Sequence, residues 1–220
     1  MLIPAPLSLA EELLLIALDD ETGRLIGSGA AASTLDRALA AALLMELTLA
    51  SRLDSDTEKL FVLSKQPLGS PLLDEVLAQI AAASPSQRSS FWVQQLSARG
   101  PEIREQLTAQ LVERGILKRM DQRLLWVFRQ RAYPPVSGRE ELEVRTRILA
   151  LLNSHEIPEP RDALLIGLIE AAGLIRELLD PPTLERLRPR ILQLAQLEEL
   201  NRSVRHTVSG LQRGVGFSQG

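Results

Sequence analysis

The chain has 220 residues, 45% of them hydrophobic, and a net charge of −3, which excludes global disorder and a globally basic nucleic-acid binder. Aromatics reach only 3% and cysteine is absent, so the core must be aliphatic, and disulfides, thiolate metal sites and cysteine nucleophiles are excluded. His155 and His206 stand 51 positions apart, which argues against a zinc site of the usual ligand set.

Leu9–Leu18 reads as a short helix with Glu11 and Glu12 on its N-terminal side, as the helix dipole prefers. Asp19–Gly23 is a turn and Gly27-Ser28-Gly29 a flexible loop. Ser33-Thr34 can cap a helix running to Ser51. From Ala38 to Ala50 that helix is apolar nearly all round, with Glu46 its one charge, so it belongs in the centre of a bundle. Arg52-Leu53, the polar stretch 54–58 and Leu60–Leu63 suggest a hairpin. Helices follow over 72–83, 87–98 and 102–114, the last opened by Pro101 and ended by Gly115. Ile116–Arg119 and Leu124–Phe128 suggest a second hairpin, so a helix running into a hairpin occurs twice. Helices are expected over 140–152 and 161–179, the latter strongly apolar around Glu170. A last helix starts at Pro181-Pro182, with Pro189 a candidate kink. The expected fold is mostly α: one compact helical domain with a buried central core, formed by helices 35–51 and 161–179, and one or two short β-hairpins.

Enzyme chemistry finds little support. Gly27-Ser28-Gly29 imitates a dinucleotide-binding turn, but no buried parallel strand precedes it. Glu46 and Glu170 have no histidine, metal ligand set or nucleophile to work with, so a structural role is the better reading, such as capping a nearby loop. No nucleophile elbow, phosphate loop or metal motif is present, and no catalytic residue, metal or cofactor is expected. Nothing at Met1–Pro4 resembles a secretory signal, and no apolar run reaches the ~18 residues of a membrane span, so a cytoplasmic protein is expected.

The charge distribution says more. From Arg114 to Arg131 there are six basic residues and one acid, a net +5 on a chain of −3. Inside this segment Leu124-Leu125-Trp126-Val127-Phe128 is flanked by Arg123, Arg129 and Arg131. A core strand with solvated flanks would give that pattern. So would a surface hairpin whose Trp and Phe enter a bilayer while the arginines meet lipid phosphates. A helix followed by a basic hairpin is also the outline of a winged-helix DNA-binding regulator, although helix 102–114 carries Glu102, Glu105 and Glu113 against Arg104 and Arg114. An adaptor whose basic face binds acidic proteins is a third reading.

Leu9–Leu15, Asp19–Gly23, Leu43–Leu53, Pro71–Leu77, Arg104–Leu107, Leu111–Leu117 and Arg161–Leu165, in this order, resemble the Golgi phosphoprotein 3 family, readers of phosphatidylinositol 4-phosphate with many bacterial relatives. The resemblance covers 9–208, leaving 1–8 as an N-terminal extension and 209–220 as a flexible tail. It implies an α-helical domain on a cytosolic membrane face, a headgroup pocket of one Trp and three basic residues, a hydrophobic hairpin that enters the bilayer, and binding of short cytoplasmic protein tails. Carried over residue by residue, the pocket falls on Arg104 and on Arg37, or on Ala40 if counted back from Glu46. Pro101 takes one arginine's place, with Arg99 the nearest substitute and Arg88 at the edge, and the pocket Trp falls on Ser28 or Ala31. The hairpin corresponds to Met120–Arg131, with Arg123, Leu124, Leu125, Trp126, Phe128, Arg129 and Arg131 as its membrane-facing residues.

The resulting expectation is a non-enzymatic, peripherally membrane-associated protein. Its partner is an anionic phospholipid surface, phosphoinositide-like by the resemblance, with short basic or apolar protein tails as further partners. Nucleic acid has no part in the preferred reading, and a homo-oligomer stays open.

Overall fold

Ser8 and Glu11 start the first helix, α1 (Leu9–Ile16), with a capping box: Ser8 Oγ accepts from the Glu11 N–H at 3.3 Å, and Glu11 Oε2 accepts from the Ser8 N–H at 2.7 Å. A computed structural model describes residues 6–194 apart from 20, 28, 57, 58 and 125–127, and within 120–132 it describes the backbone alone. All eight residues of α1 are buried. The helix packs against α2 (Ala30–Leu49), α5 (Gly100–Glu113), α6 (Arg139–Asn153) and α7 (Pro160–Ala171). The expected pair of central helices, α2 and α7, do pack on each other. α1, expected as a short helix over Leu9–Leu18, packs on both of them.

The chain is mostly α, and the expected element order holds with shifted boundaries. α2 begins at Ala30 rather than at Ser33, because Gly29 (φ +60°) makes the entry turn. Thr34 therefore lies inside the helix and bonds back to the Ala30 carbonyl at 3.0 Å instead of capping it. The expected helix 161–179 is two, α7 and α8 (Ile175–Leu178), because the chain turns at Gly173 (φ +74°). α3 (Pro71–Ala82) and α4 (Ser89–Ala98) complete the helices before α5, and a further helical run occupies 181–194, unbroken at Pro189.

Both hairpins form. β1 (Leu53–Ser55) pairs antiparallel with β2 (Leu60–Val62), and the pair packs on α2 and α3. The second hairpin is β3 (Met120–Leu124) with β4 (Phe128–Ala132), which corrects the expected strands 116–119 and 124–128. Leu117 bridges Pro135, the Lys118 N–H donates to the Pro134 carbonyl at 3.0 Å, and the Val136 N–H donates to the Ile116 carbonyl at 2.9 Å. That base shares one register with β3 and β4, so Leu124 pairs with Phe128 at the far end rather than running on as a strand. The helix-then-hairpin echo is thus α2 with β1–β2 and α5 with β3–β4.

Gly23 seats the second hairpin. It has φ +62°, and a Cβ there would overlap the Tyr133–Pro134 backbone. The close approach lets the Gly23 carbonyl accept from the Tyr133 N–H at 2.9 Å.

Candidate functional site

The four arginines assigned to a headgroup pocket lie on α2, at the start of α4, at the junction of α4 and α5, and on α5. Arg104, on α5, pairs with the Asp36 carboxylate on α2, one residue before Arg37. Arg37 is exposed and bonds along its own helix, to Ser33 Oγ at 3.5 Å and Thr34 Oγ1 at 3.2 Å. Arg99 stands at the junction of α4 and α5, 2.8 Å from Glu75 and 3.0 Å from Glu102, and these hydrogen bonds, that of Glu102 above all, raise its pKa. Arg88 is exposed at the start of α4, where its carbonyl accepts the Phe91 and Trp92 N–H groups.

Asp36 was legible only in part. It falls on the stripe of α2 that carries Leu39, Ala40 and Leu43, all buried, so an acid there needs a cation. Gly100 makes the fit possible, since a Cβ on Gly100 would overlap the Asp36 carboxylate. Burial lowers the Arg104 pKa. Chemically, the Arg104 guanidinium is engaged by an internal anion, as Arg99 is by two.

A second set of carboxylates, two of them buried on α1 itself and two partly buried beside it, is held by arginines. Arg114 donates to Glu11 at 3.1 Å, Arg147 to Glu12 at 2.7 Å, and Arg147 lies 2.9 Å from Asp162. Arg161 Nη1 donates to Glu46, which also accepts the Leu9 N–H at 2.7 Å. Glu46 therefore caps a helix start, within the structural role the sequence suggested. Glu12 and Arg147 respond differently to their pairing. Burial pushes the Glu12 pKa up despite Arg147 and Arg161, and its Oε2 is buried without a hydrogen bond. Arg147, a third exposed, loses to burial but gains more from Glu12 and Asp162, so its pKa is raised.

The β3–β4 hairpin has a different character. β1–β2 is packed on helices, whereas among the described elements β3 and β4 have extensive contacts only with each other. Arg123 pairs with Arg129, Asp121 with Arg131 and Leu124 with Phe128. Leu125, Trp126 and Val127 lie outside the described residues, as do the side chains of 120–132, and with them the expected exposure of Trp126. Lys118 and Val136 are exposed at the base. Among the described residues no helix is long and apolar enough to cross a membrane, and no group of three or more His, Cys, Asp or Glu is placed to hold a metal ion.

The family model for Golgi phosphoprotein 3 (GPP34) matches residues 9–211. The chain belongs to the Golgi phosphoprotein 3 family. No curated protein matches the chain. Within this Golgi phosphoprotein 3 family member, the matched region takes in α1 through the helical run 181–194 and both hairpins.

Proposed function

We propose that this chain is a non-enzymatic peripheral membrane protein that binds anionic phospholipid, phosphatidylinositol 4-phosphate or a related phosphoinositide among them, on a cytoplasmic membrane face. The observation that carries the reading is a hairpin whose strands have extensive contacts only with each other among the described elements, and that pairs Arg123 with Arg129 next to Leu124 with Phe128. Directly opposed like charges disfavour a strand pair by roughly 0.2–1 kcal/mol. Lipid phosphates would relieve that repulsion, with about 1 kcal/mol of attraction for each basic residue at an anionic surface. Family membership agrees with a membrane role.

Arg37, Arg104, Arg99 and Arg88 are the proposed headgroup residues, with Asp36 as the anion a phosphate must displace from Arg104. A guanidinium takes phosphate oxygens bidentately. The proposed further role is as an adaptor for short protein tails at the membrane. The winged-helix alternative has less support, since α5 is packed against α1, α2 and α3.

The test is co-sedimentation of the full chain with vesicles of phosphatidylcholine, phosphatidylserine or phosphatidylinositol 4-phosphate, beside a DNA mobility shift. Binding to the anionic vesicles and not to DNA is expected. DNA binding without vesicle binding would overturn the reading.

A further inference from the structure

The register of the second hairpin sorts its charges. In an antiparallel pair, residues directly opposite share a face, and alternate residues along a strand change face. With Met120 opposite Ala132 and Leu124 opposite Phe128, positions 121, 123, 129 and 131 form one face of the ribbon. Those four are Asp121, Arg123, Arg129 and Arg131, all charged. The other face holds Met120, Gln122, Leu124, Phe128, Gln130 and Ala132, with no charge at all. The separation runs the full length of both strands, not the end alone. Below the strands the separation ends, because Lys118, opposite Pro134 in the same register, falls on the face of Met120 and Ala132 and is exposed.

This pattern is the β counterpart of an amphipathic interfacial helix. An element with one apolar and one cationic face rests in the plane of the bilayer surface, its apolar face at the acyl boundary. An element that enters end-on needs apolar residues at its end only. Building on the membrane reading above, we infer that the β3–β4 hairpin binds an anionic bilayer side-on, as an amphipathic ribbon, with the face of Met120, Leu124, Phe128 and Ala132 toward the acyl chains. Arg123, Arg129 and Arg131 then stand on the other face, which the headgroup layer surrounds. The charge complement is net +2 on that face against an anionic surface. An acidic protein would match the cationic face equally well, but it would leave the uncharged face without a role.

The absence of cysteine makes the test direct. Single cysteines are placed from 120 to 124 and from 128 to 132, labelled with an environment-sensitive fluorophore, and read on phosphatidylserine–phosphatidylcholine vesicles. A blue shift that alternates with position, present at 120, 122, 130 and 132 and absent at 121, 123, 129 and 131, supports the ribbon. A shift confined to 124 and 128 would mean end-on insertion and would overturn the inference while leaving the membrane reading intact. No shift anywhere, with the unlabelled chain still sedimenting with vesicles, would exclude the hairpin as the contact. A chain that does not sediment removes the membrane reading itself.

A gain-of-function variant guards against misfolding. Gln130→Leu should tighten vesicle binding about tenfold by adding apolar area to the inserted face. An affinity no tighter than the parent's would contradict side-on binding.

Discussion

Glu46 and Arg161, 115 residues apart, meet at 2.9 Å where α2 packs against α7, and the same carboxylate closes the first N–H of α1. One side chain therefore ties three helices together. Glu46→Ala takes from Arg161 its nearer carboxylate, leaving it the Leu7 carbonyl and Glu12 at 3.7 Å, and strips the Leu9 N–H of its acceptor, a loss of about 1–3 kcal/mol. Glu46→Gln keeps a capping acceptor and should lose less. Urea unfolding of both variants checks the order, and equal losses would show that the cap contributes nothing.

Glu12 gives a pH signature. Its pKa is raised above the ordinary 4.5, so the folded state holds this proton more tightly than the unfolded chain. Its contribution is fully present below pH 4.5 and is lost as pH rises through the raised value. Glu12→Gln should remove that slope and stay within about 1 kcal/mol of the parent at neutral pH, because Arg147 keeps Asp162 and Arg161 keeps Glu46. Asp19 and Asp180 act in the opposite sense. Hydrogen bonds from Thr22 and Thr183 hold them below 3.8, so their contribution is present above 3.8 and lost as pH falls through their lower values. Stability curves of parent and Glu12→Gln should diverge above pH 4.5 and run parallel in acid. Parallel curves throughout would contradict the burial of a raised carboxyl.

Gly100 and Asp36 form a coupled pair. Gly100→Ala puts a methyl where the Asp36 carboxylate sits and should cost about 1–3 kcal/mol by overpacking. With Asp36→Ala in the background that cost should fall, leaving a coupling of at least ~1 kcal/mol in a double-mutant cycle. Strict additivity would mean that the two sites are not in contact.

Gly23→Ala tests the seat of the hairpin. Positive φ and backbone overlap both oppose the methyl, so thermal stability should drop by several degrees, at about 2–4 °C per kcal/mol. Vesicle binding should weaken as well, since the methyl pushes the residue-23 carbonyl away from the Tyr133 N–H. An unchanged melting temperature would refute this seat.

Much of the fold was readable because long apolar runs and Pro or Gly stops mark α2, α3, α5 and α7 directly. α1 escaped notice as the hub because Glu11 and Glu12 read as dipole-facing surface residues. Their cations, Arg114 and Arg147, arrive more than a hundred residues later, and no local pattern announces them. The hairpin register was hidden for a similar reason. Pro134-Pro135 looks like a break, yet Pro135 pairs with Leu117 and sets which residues oppose which. The arginines were assigned by resemblance and charge distribution, but Asp36 beside Arg104 required the packing of α2 on α5.

Vesicle binding of two variants at low and high salt tests most directly whether this hairpin holds the protein on an anionic membrane. Replacing Arg123, Arg129 and Arg131 by Ala removes about 3 kcal/mol of surface attraction, roughly a hundredfold in affinity, and that loss should shrink as salt rises. Trp126→Ala removes apolar burial instead, on the order of 2–3 kcal/mol, and its loss should barely change with salt. Weaker binding by both variants with those two salt responses is the expected result. If neither variant binds more weakly than the parent, the hairpin does not hold the chain on membranes.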